Sequence, residues 1–357
     1  MQAIQVITEG DKFYAAALKA IAAARRQVSF MVYIWRDDEI GAAFAQALIA
    51  AARRGIEVRL VVDAVGSFEL PSAVLAGLRR AGVFVYTHHR VSFLRWGWFR
   101  YLIRRNHRKI ILIDNRIAFT GGFNIMRECS RRYYGEKRWL DMMVETRAEP
   151  LVTQLAQQFR DACRRARHEK WAMRLMTRSG NRVIVSGGGR VVTYSMSRWL
   201  KRRLRHARER ITIAVPYFIP YGFYWRILSK KIREGVRVEI ILSETSDLPW
   251  IDAVSFALAG RLRKKGAEVY LYRGSGKEPR FSHTKLFAID GWAGTGSANY
   301  DYRSMVLNLD TLLFFRSAPS GWQAALKALR SGSRAAAAAD LKAGFRAWLI
   351  WPLRWLL

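Results

Sequence analysis

A motif that occurs twice in the 357-residue chain constrains the fold more than any other feature of the sequence. The two copies lie 176 residues apart (283 − 107) and match at six positions in the same order. They read His107-x-Lys109-x4-Asp114-x6-Gly121-Gly122-x-Asn124 and His283-x-Lys285-x4-Asp290-x5-Gly296-Ser297-x-Asn299. A lone His-x-Lys tripeptide arises often by chance, whereas six ordered matches do not. The chain therefore contains two related units, each of which supplies a histidine, a lysine and an asparagine.

Each copy of the motif has the pattern of a strand, a turn and a second strand. Residues 109–114 and 285–290 are apolar runs that end at turn-forming residues. Alternate residues of an extended segment point to the same face, so the histidine and lysine of each copy project together. The asparagines follow glycines, which allow a close approach of the backbone. If the two faces meet, two imidazoles, two ammonium groups and two carboxamides line one pocket, a set that suits a phosphodiester.

The duplicated motif resembles the HKD motif pair of the phospholipase D superfamily. The resemblance implies a double displacement, in which one histidine attacks phosphorus while the other protonates the leaving alkoxide. It favours His107 as the nucleophile and His283 as the general acid and base, although the symmetry of the two copies does not order them. Because lysines supply the positive charge, we expect no metal and no cofactor, and the sequence shows no closely spaced set of metal ligands.

A histidine in either role needs a carboxylate that fixes its tautomer and supports its basicity. Asp141 lies 34 residues after His107 (141 − 107), and Asp310 lies 27 residues after His283 (310 − 283). The superfamily likewise carries an acidic residue after each motif. We therefore predict that Asp141 and Asp310 support the catalytic histidines. The alternative interpretation is that each is an ordinary surface aspartate at the end of a strand.

Other motif positions are predicted to be structural or differ between the two copies. Asp114 and Asp290 lie five residues beyond each lysine, and we expect them to brace the fold rather than to touch phosphate. The second copy has one residue fewer between Asp290 and its glycine, which predicts a shorter turn. Ser297 occupies the position of Gly122, so a role of its hydroxyl cannot be common to both copies.

The repeat extends beyond the motifs. Residues 53–60 resemble residues 233–240, and residues 78–82 resemble residues 262–266. The pattern in each is a basic amphipathic helix that ends at a glycine and is followed by an apolar strand. The predicted fold is α/β, with two similar α/β/α sandwich halves of the phospholipase D type, a pseudo-twofold axis and the active site at their interface. The predicted domains are residues 1–178, residues 179–330 after a polar glycine-rich stretch, and a basic and aromatic tail, residues 331–357.

The charge of the chain predicts an anionic partner. The formal net charge is +33, with 61 lysines and arginines against 28 acidic residues. Residues 91–105 and 345–357 interleave aromatic residues with arginines, which is typical of contact with lipid headgroups, although aromatic stripes also occur in cores. No apolar run is long enough to span a bilayer. We expect peripheral contact with anionic phospholipids on the cytoplasmic side of a bacterial membrane and no nucleic acid partner, although charge alone does not exclude one.

Three further segments resemble bacterial cardiolipin synthases of the kind that lacks N-terminal membrane helices. They are residues 33–41, 63–67 and 215–220, and the overall similarity covers roughly residues 10–315. The resemblance implies transfer of a phosphatidyl group from one phosphatidylglycerol to the hydroxyl of a second, which yields cardiolipin and glycerol. A hydrolytic phospholipase D or another transphosphatidylase is the first alternative. A nuclease of the superfamily is less favoured, because many of those are single-motif chains that dimerise. The oligomeric state is not indicated.

Overall fold

Seven strands of the first half form one mixed sheet. The computed structural model describes residues 4–88, 104–166, 176–179, 182–186, 194–277 and 279–341. The strands are β1 (Ile4–Ile7), β2 (Gln27–Val32), β3 (Glu57–Asp63), β4 (Phe84–His88), β5 (Ile110–Ile113), β6 (Ile117–Gly121) and β7 (Met143–Thr146). Their order across the sheet is β1-β7-β6-β5-β2-β3-β4. β2, β3 and β4 are parallel, whereas β5 pairs antiparallel with β2, and β6, β7 and β1 continue the antiparallel part.

Nine strands form the sheet of the second half. They are β8 (Met176–Ser179), β9 (Arg182–Ser186), β10 (Arg210–Ala214), β11 (Arg237–Ser243), β12 (Glu268–Tyr272), β13 (Leu286–Ile289), β14 (Trp292–Gly296), β15 (Thr311–Phe315) and β16 (Ser333–Ala335). Their order is β16-β12-β11-β10-β13-β14-β15-β9-β8. The run from β15 to β12 repeats the run from β7 to β4 in order and direction, and β9 pairs with β15 as β1 pairs with β7. The prediction of two similar α/β halves is confirmed.

The helices cover the faces of the two sheets, except for one short helix in the segment between β6 and β7. They are α1 (Gly10–Ala22), α2 (Glu39–Arg53), α3 (Ser72–Arg80), α4 (Arg131–Tyr134), α5 (Glu149–Ala166), α6 (Tyr194–Arg205), α7 (Gly222–Arg233), α8 (Pro249–Arg263) and α9 (Trp322–Ser331). In α2, the carboxylate of Asp38 caps the first turn by accepting the N–H of Gly41 at 2.8 Å. Ile40, Phe44 and Leu48 recur every four residues and are buried, as an amphipathic helix on a sheet requires.

Three apolar cores hold these layers together. One packs α1, α2 and α3 against the outer face of the first sheet, and a second packs α6, α7 and α8 against the outer face of the second sheet. The third combines inward-facing residues of both sheets with α5 and α9, and Leu140 of the first half and Leu286 of the second belong to it. All four residues of β5 are buried, as expected for a strand covered on both faces. The two halves therefore share a core.

The motif hairpins differ in length, as the sequence predicts. Three residues join β5 to β6, whereas two join β13 to β14. The carboxylate of Asp114 accepts the N–H groups of Arg25, Arg26 and Gln27 at 3.0, 2.8 and 2.9 Å. The carboxylate of Asp290 accepts the equivalent N–H groups of residues 208–210. Each aspartate thus ties its hairpin to the backbone that leads into the neighbouring strand, and these contacts favour a structural role.

The two ends of the second half depart from the predicted limits. β8 and β9 pair with the second sheet, so the chain changes sheets between residues 166 and 176, before residue 179. β16 pairs with β12, and Leu341 is buried, so residues 333–341 pack on the second half because their apolar side chains find a core there. The rest of the predicted tail and residues 91–103 lie outside the described residues. Among the described helices, none has the length and hydropathy to cross a membrane.

Candidate active site

The two motifs meet because each pairs with the backbone of the other half. The N–H of His107 donates to the carbonyl of Leu309 at 2.9 Å, and the N–H of Leu309 donates to the carbonyl of Arg105 at 2.8 Å. In the same way, the N–H of His283 donates to the carbonyl of Leu140 at 2.8 Å, and the N–H of Leu140 donates to the carbonyl of Phe281 at 2.9 Å. The backbone of each motif histidine therefore pairs with the leucine that precedes Asp310 or Asp141 in the opposite half.

Each histidine is held by a carboxylate of the other half. The Nδ1 atom of His107 lies 2.8 Å from Oδ1 of Asp310, and the Nδ1 atom of His283 lies 2.6 Å from Oδ2 of Asp141. Along the sequence, Asp141 follows His107 and Asp310 follows His283, so the structure exchanges the partners. A carboxylate on Nδ1 fixes the tautomer in which Nε2 carries the lone pair and is available to react. Neither half contains a complete histidine–carboxylate pair.

The two carboxylates have different second partners. Asp310 accepts the hydroxyl of Ser297 at 2.6 Å, whereas Asp141 accepts the N–H of Met142 at 2.7 Å. A Cβ atom built on Gly122 would lie 2.0 Å from Oδ1 of Asp141, so the carboxylate occupies the space that a side chain at that position would need. The glycine and serine at this position of the two motifs are therefore not interchangeable. Burial would raise the pKa of Asp310, but His107, Ser297 and Lys109 together lower it.

The two motif lysines are buried beside the histidines. Nζ of Lys109 donates to the carbonyl of His107 at 2.9 Å, and Nζ of Lys285 donates to the carbonyl of His283 at 2.5 Å. Nζ of Lys285 also lies 2.7 and 2.8 Å from the two ring nitrogens of His283. Asp141 lies 3.8 Å from the same ammonium group. The positive charge of each motif is therefore concentrated at its own histidine.

Burial and mutual repulsion of the cations shift the pKa values of the site. Burial and the charge of Lys285 lower the pKa of Lys109 to about 7, and burial lowers that of Lys285 to about 8. Burial and the charge of Lys109 lower the pKa of His107 to about 4, although Asp310 opposes the shift. Burial and Lys285 also lower the pKa of His283. A pocket in which like charges repel in this way favours an incoming anion, because the anion relieves the repulsion.

The motif asparagines complete the two copies. Oδ1 of Asn124 accepts the N–H of Ile34 at 3.2 Å, and the hydroxyl of Tyr14 donates to the carbonyl of Asn124 at 2.8 Å. Asn299 is fixed through its backbone, whose N–H donates to the hydroxyl of Ser304 at 3.0 Å. Within the described part of the chain, Oδ1 of Asn299 is buried and has no hydrogen-bond partner. The structure thus brings both histidines, both lysines and their two supporting carboxylates together, and each asparagine is held by hydrogen bonds within its own half.

Sequence reasoning missed an ion pair beneath His107. Arg105 and Asp63 are both buried and form a salt bridge, with Nε of Arg105 2.9 Å from Oδ1 of Asp63. The N–H of Asn106 donates to Oδ2 of Asp63 at 3.0 Å, so the end of β3 holds the segment that leads into the motif. Arg105 was predicted to belong to a membrane-contacting segment, and that prediction is wrong for this residue because a buried carboxylate compensates its charge. Asp63 belongs to a segment that the sequence resemblance singled out without a role.

Aromatic rings pack against the two histidines, and the residues that provide them lie outside the motif, so the motif did not predict them. The ring of Tyr33 packs edge-on against that of His107, with centroids 4.7 Å apart. Trp139 and Phe281 flank His283 at 5.7 and 5.8 Å. Such walls exclude water from the imidazoles and account for part of their burial. Among the described residues, no group of three or more histidine, cysteine, aspartate and glutamate side chains is gathered as a metal site would require.

Comparison with known proteins gives consistent relatives. Residues 17–163 and 200–328 match the family described as "Cardiolipin synthase, PLD-like domain". Cardiolipin synthase B of Escherichia coli K12 is 31% identical over 316 residues, which cover 86% of this chain and 75% of that protein. Cardiolipin synthase B of Salmonella typhimurium is 32% identical over 320 residues, with 87% and 75% covered. Cardiolipin synthase A of Pseudomonas aeruginosa is 29% identical over 320 residues, with 87% and 63% covered.

Solved structures show the same fold at low sequence identity. Phosphatidylserine synthase of Haemophilus influenzae superposes with a TM-score of 0.76 at 12% identity, and the match covers 99% of this chain and 95% of that one. Polyphosphate kinase of Porphyromonas gingivalis superposes with a TM-score of 0.65 at 14% identity, covering 94% and 49%. At these identities the likeness concerns the fold, and it extends over both halves.

Proposed function

Because this chain belongs to the phospholipase D-like family of cardiolipin synthases and is a phosphatidyltransferase of that superfamily, we propose that it converts two molecules of phosphatidylglycerol into cardiolipin and glycerol. The observation that carries the proposal is the crossed pair of buried histidines, each held by a carboxylate of the opposite half and accompanied by a buried lysine. Such a site offers two reactive Nε2 atoms and fixed positive charge around one phosphate.

In the first proposed step, Nε2 of His107 attacks the phosphorus of phosphatidylglycerol. The bond between phosphorus and the oxygen of the glycerol headgroup breaks, and that oxygen takes a proton from Nε2 of His283 and leaves as glycerol. Asp310 stabilises the positive charge that develops on His107, and Lys109 and Lys285 offset the charge on the nonbridging oxygens. The family resemblance supports His107 as the nucleophile, and its lowered pKa keeps it neutral, as a nucleophile must be.

In the second proposed step, the terminal hydroxyl of another phosphatidylglycerol attacks the phosphatidyl-histidine. His283, now neutral, takes the proton of that hydroxyl, the N–P bond breaks, and cardiolipin is released with His107 restored. One phosphodiester replaces another, so the reaction consumes no nucleotide. Water in place of the lipid alcohol would give phosphatidic acid, and another alcohol would give another phosphatidyl ester. The names of the relatives favour the lipid acceptor.

The proposal includes where the protein acts. With a net charge of +33, it binds the anionic leaflet that contains its substrate, and each basic side chain near such a surface contributes about 1 kcal/mol. We therefore place it at the cytoplasmic face of the bacterial membrane as a peripheral protein and expect no nucleic acid substrate. Phosphatidylglycerol supplies both the donor and the acceptor.

The product analysis uses purified protein, phosphatidylglycerol vesicles and a chelator in excess. We expect cardiolipin and glycerol in equal amounts by mass spectrometry, and we expect His107→Ala and His283→Ala each to lower turnover by about four orders of magnitude or more. Phosphatidic acid without cardiolipin would replace the synthase by a hydrolase. Dependence of turnover on an added divalent metal would contradict the lysine-based mechanism.

The order of the histidines is tested with a donor that carries a nitrophenyl leaving group. This group departs without a proton, so His283→Ala should accumulate phosphatidyl-His107, detectable as an acid-labile, base-stable adduct on the His107 peptide. His107→Ala is the matched control and should form no adduct. An adduct on His283 in that control would reverse the two roles.

A further inference from the structure

The motif histidines lie just before β5 and β13 begin, at one end of the strands of each sheet, and we call this end the catalytic edge. In the first half, β3 ends there, because Asp63 contacts the segment before His107. In the second half, β11 ends there, because the hydroxyl of Ser243 accepts the N–H of Ser282 at 2.9 Å. The loops that follow β3 and β11 are equivalent in the two halves and therefore lie on either side of the shared site. The segment between β6 and β7 lies at the same edge, as does the equivalent segment between β14 and β15.

The loop after β3 presents a large apolar side chain to solvent. Phe68 is 73% exposed, whereas its neighbours Ser67 and Leu70 are buried. The hydroxyl of Ser67 donates to the carbonyl of Tyr33 at 2.9 Å and accepts the N–H of Trp35 at 3.1 Å. The loop is thus anchored beside the residues that line His107, and its exposed phenyl ring does not result from a loose chain. Exposing such a ring has a free-energy cost unless a partner covers it.

The equivalent loop after β11 leads to a second large apolar side chain that is exposed to solvent. Trp250 is 40% exposed and is the second residue of α8, directly after Pro249. The hydroxyl of Ser246 donates to Asp252 at 2.7 Å and accepts the N–H of Leu248 at 3.0 Å, which anchors this loop as well. The carboxylate of Asp247 accepts the hydroxyl of Tyr217, so the acidic groups of the loop have internal partners.

A third exposed aromatic group lies at the catalytic edge of the first half. Tyr133 and Tyr134, each 40% exposed, belong to α4, between β6 and β7. The guanidinium of Arg132 lies 5.3 Å from the ring of Tyr133. Among the described residues, five large apolar side chains are exposed, and four of them are at the catalytic edges. The fifth, Phe84, begins β4 and therefore lies at the opposite edge of its sheet.

We propose that the protein docks on an anionic phospholipid bilayer through its catalytic edges, with Phe68 and Trp250 inserted at headgroup depth on either side of the active site. The proposal rests on the proposed function, because a lipid phosphodiester can reach Nε2 of the histidines without leaving the bilayer only if the site faces the membrane. Aromatic rings partition into the interface between headgroups and acyl chains, and Arg132 is placed to meet lipid phosphate. Equivalent loops of the two halves then contact one leaflet together.

A second surface of the molecule could also attract a membrane, and docking through it would give a different orientation of the protein on the bilayer. A cavity of about 540 Å³ on the outer face of the second half is lined by Arg205, His206, Phe223, Arg226, Ile227, Lys230 and Lys231. Its cations also attract an anionic leaflet, but it lies among the outer helices α6 and α7. Docking through it would depend on charge, whereas docking through the catalytic edges depends on the aromatic side chains.

The test compares single variants of the full-length protein in two assays. Binding is measured by sedimentation with phosphatidylglycerol vesicles, and turnover is measured on those vesicles and on monomeric short-chain phosphatidylglycerol. We expect Phe68→Ala and Trp250→Ala each to lower vesicle affinity about tenfold and to leave turnover of the short-chain lipid unchanged. Phe84→Ala is the matched control and should retain full vesicle affinity. All three side chains are exposed, so the variants should fold, which circular dichroism melting checks.

Each other outcome has a definite meaning. Equal losses in Phe68→Ala and Phe84→Ala, or none in Phe68→Ala and Trp250→Ala, would overturn the docking proposal. Loss of vesicle binding only in an Arg226→Glu, Lys230→Glu variant would assign docking to the outer helices instead. Failure of the proposed function is recognised separately, since the wild-type protein would then leave the short-chain lipid unchanged while its vesicle binding could still be measured.

Discussion

At the scale of single residues, the two supporting carboxylates distinguish otherwise similar motifs. Asp310 accepts hydrogen bonds from His107 and from the hydroxyl of Ser297, whereas Asp141 accepts them from His283 and the N–H of Met142. Both carboxylates are almost fully buried, where loss of one partner leaves the other with an uncompensated group. The site is therefore sensitive to changes that keep shape but alter charge.

The crossed pairing predicts which histidine responds to each carboxylate. Asp310→Asn should change the imidazole 15N resonances of His107 and lower its pKa, because the carboxylate of the wild-type protein stabilises the protonated form of His107. The resonances and the pKa of His283 should stay unchanged. Asp141→Asn should do the reverse. Both variants should lower kcat by about ten-thousandfold, as loss of the tautomer-fixing carboxylate does in the triads of serine proteases. A response of His283 to Asp310→Asn would contradict the pairing.

The position shared by Gly122 and Ser297 makes a second prediction. Ser297→Ala removes one hydrogen bond to Asp310 and should lower kcat about tenfold. Gly122→Ser places a side chain where the carboxylate of Asp141 lies, so it should displace that group and cost His283 its partner. We expect a loss of activity at least as large as that of Asp141→Asn. Near-normal kinetics of Gly122→Ser would show that Asp141 moves aside without effect.

The pKa shifts predict the pH dependence of kcat/KM. His283 must be protonated to act as the acid, and its pKa lies below the ordinary value, so kcat/KM begins to fall as pH rises past that pKa. The lysines, with pKa values near 7 and 8, are charged below those values, so attraction for the phosphate is lost in addition as pH rises through about 7 to 8. His107, with a pKa of about 4, loses its nucleophilic lone pair as pH falls through that value. Arginine stays charged throughout, so Lys109→Arg should move the part of the fall that lies above pH 7 to higher pH in whatever activity remains. A fall above pH 7 that Lys109→Arg leaves unchanged would assign that part of the pH dependence to other groups.

At the scale of elements, the motif hairpins are fastened by Asp114 and Asp290 rather than by the residues that face the site. Each carboxylate gathers three backbone N–H groups that lead into β2 or β10. The residues Asp114 and Asp290 have positive φ values of 52° and 48°, which places them in tight turns. The aspartates thereby position β5 and β13, which begin one residue after the motif lysines Lys109 and Lys285.

Removing either brace should affect stability more than chemistry. Asp114→Ala and Asp290→Ala leave backbone N–H groups that water satisfies only in part, and each should lower the free energy of unfolding by about 1–2 kcal/mol in urea titrations. The kcat of the folded variants should stay within a factor of a few of the wild-type value. A loss of activity comparable with that of Lys109→Ala, at unchanged stability, would instead show a catalytic role.

At the scale of the whole molecule, a core shared by both sheets joins two halves, neither of which holds a complete histidine–carboxylate pair. Leu140 and Leu286 are fully or almost fully buried members of that core. Leu140 precedes Asp141 and Leu286 follows Lys285, so packing between the sheets also sets the distance between the motifs. Because each half provides the carboxylate for the other's histidine, loss of this packing removes both pairs at once.

The shared core predicts cooperative unfolding of the two halves. Leu286→Ala should lower the free energy of unfolding by about 2–5 kcal/mol, the usual cost of such a cavity. Calorimetry should show one transition, with activity and secondary structure lost together. Leu48→Ala, in the outer core of the first half, is the matched control and should shift the same single transition. Separate transitions for the two halves would contradict a common core.

Much of this architecture could be predicted from local patterns. The alternation of residues in strands was sufficient to place His107 with Lys109, and the single missing residue after Asp290 predicted the shorter turn. The fate of Arg105 could not be predicted in this way. The aromatic and basic neighbours of Arg105 in the sequence suggested lipid contact. The carboxylate that neutralises its charge belongs to Asp63, which lies 42 residues earlier and contacts Arg105 only in the folded chain.

The sequence by itself determined which reactive side chains this protein repeats and in what kind of fold: two copies of a histidine and lysine motif, spaced for two similar α/β units. These properties depend on side-chain identity and on the period of strands and helices, both of which are local. Only the tertiary structure decided that Asp310 serves His107 and Asp141 serves His283, and that exposed aromatic side chains gather at the catalytic edges. Such pairings depend on how the two sheets pack, and residues 203 and 142 positions apart along the chain leave no local signal of their contact.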